Sequence, residues 1–191
     1  MKLLLTFLFV TLIGVATAQP QLWRFKIRPT TMRMAQGPAF SGFLDITKDG
    51  YAGINHTGPA YQGFVAYMNI GANQAPGDLP KNVNLYKEDT KELAYLQPTG
   101  IPNLWDLKFG KNIPKIAGVM WDKFAISTIS CGGNCGGLGV YYDLDRTYRQ
   151  WLAFRDPKCP NSWRMRYWTG DNTTPWPKEH YPIWMWREAQ Q

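Results

Sequence analysis

The chain has 191 residues, 45% of them apolar and 15% aromatic, with 21 Lys and Arg against 14 Asp and Glu for a net charge of +7. That content is far too apolar and aromatic for a disordered chain, and no collagen-like or heptad repetition runs through it.

In chain order, Lys2 precedes an apolar run from Leu3 to Val15, and Ala16-Thr17-Ala18 follows as a small-x-small site. The run is shorter than the ~20 apolar residues that cross a bilayer, so residues 1–18 read as a secretory signal peptide, removed on export. Residues 19–191 then suffice for one domain, burying roughly 70% of the surface its unfolded chain exposes. The periodicity in that stretch is two rather than 3.6. Trp23, Phe25 and Ile27 alternate with Arg24, Lys26 and Arg28, and strands follow over 43–47, 64–70, 83–86 and 93–97. The stretch 87–96 reads as a short helix or equally as a turn into a strand. Further strands are expected over 105–109, 124–130, 140–144, 148–154, 163–167 and 183–186. Turn signals such as Lys48-Asp49-Gly50, Ala75-Pro76-Gly77-Asp78 and Thr169-Gly170-Asp171 separate them. The pattern predicts an all-β fold, a single-domain antiparallel sandwich or barrel of roughly ten short strands. The Pro- and Trp-rich segment 171–181 is expected to wrap the surface.

Three cysteines come late, Cys131, Cys135 and Cys159. In an oxidising compartment three thiols give one disulfide bond and one left over. A Cys131–Cys159 bridge would tie two predicted strand ends and is favoured; it is worth about 3 kcal/mol in the chain-entropy model. Cys135, in a glycine-rich loop, can compete for Cys159. With one CxxxC spacing and no neighbouring His, the three make a poor zinc set, so no metal and no cofactor is expected. Asn55-His56-Thr57 and Asn172-Thr173-Thr174 are sequons, which in an exported eukaryotic glycoprotein would carry glycans at Asn55 and Asn172.

Catalytic sets are sparse. The two histidines, His56 and His180, read as surface residues, and no GxSxG elbow, P-loop or GxGxxG occurs. Asp143 and Asp145 would point to one side of a strand, where paired acids could begin a calcium site or a glycosidase pair. The plainer reading pairs them with Arg146 or Arg149. The strongest signal is aromatic: six of the nine tryptophans fall between Trp151 and Trp186. From 146 to 187 there are also eight Lys or Arg against three acids. Period-two placement of Trp163, Met165 and Tyr167 points to core packing, whereas Trp168, Trp176, Trp184 and Trp186 cannot all be buried so easily. These four, with Arg164 and Arg166, are the candidate ligand-binding residues, since indole planes stack on sugars or bases and guanidinium groups meet anions.

The hairpin Leu85-Tyr86-Lys87-Glu88-Asp89-Thr90-Lys91-Glu92-Leu93-Ala94-Tyr95-Leu96, the run Ser127 to Cys131 into a glycine loop, the strand Val140-Tyr141-Tyr142, and Gln150-Trp151-Leu152-Ala153-Phe154 closing at Cys159 carry a resemblance. With the signal peptide, they resemble small secreted β-rich proteins of filamentous fungi, wall-associated or host-directed effector candidates. The resemblance implies export to the extracellular space or cell wall rather than catalysis.

Three functions follow as expectations. The first is a non-enzymatic extracellular protein that binds carbohydrate, as cell-wall polysaccharide or a host-surface component, through exposed aromatics. The second is a secreted glycan hydrolase using Asp143 or Asp145. The third is a basic binder of polyanions, nucleic acid being the less expected case. A monomer without a membrane span after processing is expected.

Overall fold

The computed structural model describes residues 22–32, 38, 40, 42–47, 49–55, 63–70, 74–75, 77–129, 136–171 and 173–189. Residues 1–18, expected to be a signal peptide, and His56, Cys131, Cys135 and Asn172 lie outside them. The described chain is all-β, with twelve strands in one antiparallel sheet. They are β1 (Leu22–Thr31), β2 (Asp45–Ile46), β3 (Ala52–Asn55), β4 (Ala66–Asn69), β5 (Leu85–Lys87) and β6 (Leu93–Pro98). The second half contributes β7 (Leu104–Gly110), β8 (Phe124–Thr128), β9 (Leu138–Tyr142), β10 (Gln150–Asp156), β11 (Cys159–Trp168) and β12 (His180–Ala189).

The pairings close on themselves. From β1 the ladder passes to β12, β10, β11, β7, β6, β5 and β4, and β4 pairs with β1 again. Two hairpins stand off this ring, β2–β3 beside β11 and β8–β9 beside β12. A ring of about eight strands is just wide enough for side chains to fill it, and here they do. Phe25, Ile27, Met68, Leu85, Leu96, Leu107, Trp151, Met165, Tyr167 and Ile183 form one buried cluster drawn from all round the ring. The polar tips inside that cluster are satisfied, as burial demands. Trp151 Nε1 donates to the Val140 carbonyl at 2.8 Å, and the Tyr167 hydroxyl donates to the Tyr142 carbonyl at 2.6 Å. Burial drives the Tyr167 hydroxyl well above the ordinary tyrosine range, so it stays a donor. The filled interior leaves ligand binding to the outer surface.

The stretch 87–96 resolves as a turn into a strand. β5 ends at Lys87, Lys91 takes φ 57°, and Tyr86 pairs with Leu93 across the turn. The sequence reading had no strand at Ala52–Asn55; Gly53 is essential there, because a Cβ would sit 2.0 Å from the Trp163 carbonyl oxygen. Among the described residues no helix is long and apolar enough to cross a membrane.

Candidate functional site

The outer face of β12–β10–β11–β7 follows from the register. Gln150 pairs with Trp168 and Leu152 with Arg166, while Phe154 pairs with Arg164 on one side and His180 on the other. Carrying the β10–β12 register one residue on sets Gln150 beside Trp184, so Trp184, Gln150 and Trp168 form a row across three strands. Side chains alternate along β12, with Ile183 and Met185 buried in the barrel and Trp184 and Trp186 turned outward, half-buried. The face therefore carries Trp168, Trp184, Trp186, Arg164 and Arg166 together.

On this face Leu104, Leu152, Phe154 and Trp168 make a second, smaller buried cluster. The strand β10 is thus apolar on both sides. Its outer side needs a cover, which the segment 171–179 provides. Asp171 starts the strap: its Oδ1 accepts from the backbone amides of Thr173 and Thr174 at 2.9 Å each, and from their hydroxyls at 2.6 and 3.0 Å. Those bonds, led by the Thr173 hydroxyl, hold the carboxyl below its usual range. Trp176 then stacks on Trp168 with ring centroids 4.5 Å apart, and on His180 at 5.1 Å. The His180 Nδ1 donates to the Pro177 carbonyl and pins the strap's far end. Residues 173–179 run over the outer side of the sheet, and His180 and Tyr181 already belong to β12.

Because Trp168 and His180 lie on different rows, Trp176 wedges between them and its ring faces are taken. Trp176 is 49% exposed, whereas Trp168 beneath it is buried at 5%. Beside this stack, between strap and sheet, runs an open groove of about 640 Å³. Phe154, Arg155 and Arg166 of the sheet line it together with Pro177, Lys178 and Glu179 of the strap. Arg166 lies flat over the Phe154 ring at 4.5 Å while its Nε donates to Asp106 at 2.6 Å. Its lining mixes aromatic and apolar groups with the charged Arg155, Arg166, Lys178 and Glu179. That is how ligand grooves are built.

Arg164 is corrected as a solvent-facing candidate. It is 7% exposed, bonded to buried Asp156 at 3.0 Å and laid over the Tyr51 ring at 3.9 Å. Trp186 packs edge-on against Trp184 at 5.9 Å, and Gly137 approaches so closely that a Cβ would lie 2.2 Å from the Trp186 ring. The paired-acid reading of Asp143 and Asp145 is corrected too. The strand β9 stops at Tyr142, and Asp143 adopts φ 49° in the turn that follows, so the alternation ends before it reaches Asp145. Asp143 binds Arg146 at 2.8 Å and Asp145 binds Lys81 at 3.0 Å. Burial alone would raise the Asp143 carboxyl, but the Arg146 hydrogen bond and the Lys123 and Arg146 charges outweigh it and keep it low. An ionised, doubly paired carboxylate is a poor general acid.

Among the described residues no group of three His, Cys, Asp or Glu could hold a metal. Among the described residues Cys159 has no disulfide partner; its Sγ accepts from the Ser162 hydroxyl at 3.2 Å, and the cysteines expected to compete for it, Cys131 and Cys135, lie outside them. Asn55 ends strand β3, opposite Ser162. Phe154, Tyr181 and Ile101 were not singled out in the sequence; apolar residues in strands and turns carry no mark of which face opens to a groove.

Compared with known proteins, the chain matches no family model, no curated protein and no solved structure.

Proposed function

We propose that this is an exported, non-enzymatic binding protein whose outer aromatic face takes carbohydrate, as extracellular or cell-wall polysaccharide. The observation that carries the reading is the groove between the strap and β10–β11, lined by Phe154 and flanked by the Trp176 stack. Sugar rings present apolar C–H faces ringed by hydroxyls, which suits a lining that mixes aromatic and polar groups. The filled barrel supports an external site, and the involvement of Asp143 and Asp145 in ion pairs favours binding over glycan hydrolysis. Export rests on the signal-peptide pattern of residues 1–18. The test is co-sedimentation of the mature chain with insoluble wall polysaccharides, comparing the native chain with Phe154→Ala and Trp176→Ala. Retention that both substitutions weaken at least tenfold is expected. No retention on any polysaccharide, or retention indifferent to both changes, contradicts the reading.

A further inference from the structure

We propose that Arg187 and Trp23 form a binding site for a small oxyanion or carboxylate at one end of the barrel, away from the strap.

Arg187 stands apart from six of the other seven described arginines, and Arg155, over the Trp163 ring, is also not without a partner. Arg24, Arg28, Arg146, Arg164 and Arg166 are each paired with a carboxylate, and Arg149 donates to the Leu144 carbonyl at 2.8 Å. Arg187 has no carboxylate and no hydrogen bond among the described residues. The reason is its place in the register. It pairs with Ile27, and it alternates with Trp186 and Glu188 so as to share the core-facing side of β12 with Ile183 and Met185. Its neighbours there are apolar, and its guanidinium lies over the Trp23 ring with Cζ 4.8 Å from the centroid. Cation–π attraction holds the group but satisfies none of its N–H donors.

Two of the donors here are buried and unmet, Arg187 Nε and Trp23 Nε1. Buried polar atoms in native proteins are nearly always bonded, and a guanidinium lacking a counter-charge is costlier than a neutral group. Burial pushes the Arg187 guanidinium below its ordinary value, the same desolvation read electrostatically. Both residues remain partly exposed. Arg187 Nη1 and Nη2 are not among the buried unmet atoms, so an anion arriving at the end of the barrel meets that edge of the fork, and the two closed donors open to it only as the side chains shift. An anion supplies the missing acceptors: the planar fork of Arg187 matches a carboxylate or a tetrahedral oxyanion, and the indole N–H adds a neutral donor. No metal, covalent step or proton transfer is involved.

The test is thermal melting of the full chain in sodium sulfate, sodium acetate and sodium chloride at equal ionic strength. At tenfold saturation the bound anion should raise the midpoint by about 3 °C over chloride in a domain of this size. A response to sulfate alone assigns an inorganic oxyanion, and one that includes acetate assigns carboxylate chemistry; either supports the site. Arg187→Met should abolish the response while melting, in chloride, no lower than the native chain, because an apolar side chain replaces an unpaired charge. Arg187→Lys keeps the charge without the fork and should lose most of the response, which keeps the test open should the methionine variant fail to fold. Trp23→Phe keeps the ring and loses the N–H, and should weaken it. Equal midpoints in all three salts, or a sulfate effect that survives Arg187→Met and Arg187→Lys, would overturn the proposal, since sulfate also strengthens burial generally.

Discussion

Replacing Asp156 by Asn isolates one buried charge with little change of shape. Asp156 and Arg164 meet at 3.0 Å with side chains only 5% and 8% exposed. Asparagine keeps an oxygen for the Lys158 amide, which donates to Asp156 Oδ1 at 2.9 Å. It leaves the Arg164 cation buried without a counter-charge. Removing one partner of such a pair costs about 3–5 kcal/mol, so the melting midpoint should fall by roughly 6–20 °C. Asp49→Asn is the comparison, because Lys158 and Asp49 meet at 2.8 Å with side chains 74% and 47% exposed, and solvent screens such a surface pair so that its loss should leave the midpoint nearly unchanged. Replacing both buried partners, as Asp156→Leu with Arg164→Met, should recover most of the loss. The pH dependence has a definite sign. Burial alone would raise the Asp156 carboxyl, but the Arg164 hydrogen bond and the Lys158 amide outweigh it, so its folded value lies below its unfolded one. Its contribution is therefore complete above the ordinary aspartate value of about 4 and is lost as pH falls through the folded value. The Asp156→Asn chain should lose less stability than the native chain over that acid window. A loss under about 1 kcal/mol, or one equal to that of Asp49→Asn, would refute the reasoning.

Two further outcomes bear on the strap. Trp176→Ala removes two stacks worth about 0.5–1.5 kcal/mol each, so amide exchange at Thr173 and Thr174 should quicken roughly tenfold or more while the barrel amides keep their protection. Global unfolding in this variant would show that the strap and barrel form one cooperative unit. Gly170→Ala places a methyl 2.1 Å from Trp168 Cζ2 and 2.8 Å from Thr174 Cβ, so Trp168 must move. A cost of about 1–3 kcal/mol by denaturant titration is expected, with weakened polysaccharide retention; an unchanged chain would mean that the Trp168–Trp176 stack does not organise the strap.

What the sequence showed depended on how many faces of a strand are buried. Trp23, Phe25 and Ile27 alternate cleanly because one face meets the barrel core and the other is partly exposed, whereas Trp163, Met165 and Tyr167 alternate because arginines occupy the strand's other face even where it is buried. In β10, expected as a strand over 148–154, both faces are buried, Trp151 and Ala153 inward and Leu152 and Phe154 outward, so the alternation marks the strand but not which face borders the groove. Ala52–Asn55 escaped notice because it is short and offers a glycine where a branched residue would signal a strand. Residues 173–179 form neither helix nor strand, in keeping with Pro175 and Pro177. The fate of the arginines was not legible. Arg166 finds Asp106 from 60 positions away, and only the pairing of β11 with β7 brings them together. Asp143 leaves its strand through a positive φ, which an aspartate tolerates and the sequence does not reveal.

The direct measurement is a titration of the chain with wall oligosaccharides, followed through the indole N–H signals in a nitrogen–proton spectrum. The tryptophans divide by position. Trp176 and Trp184 lie on the proposed face, whereas Trp151 Nε1 is bonded to Val140 inside the barrel and Trp105 Nε1 to the Gly118 carbonyl at 3.1 Å. Carbohydrate binding on the outer face predicts saturable shifts of the Trp176 and Trp184 signals while those of Trp151 and Trp105 stay still. Shifts confined to Trp105 or Trp23, or no shift with any oligosaccharide, would contradict it.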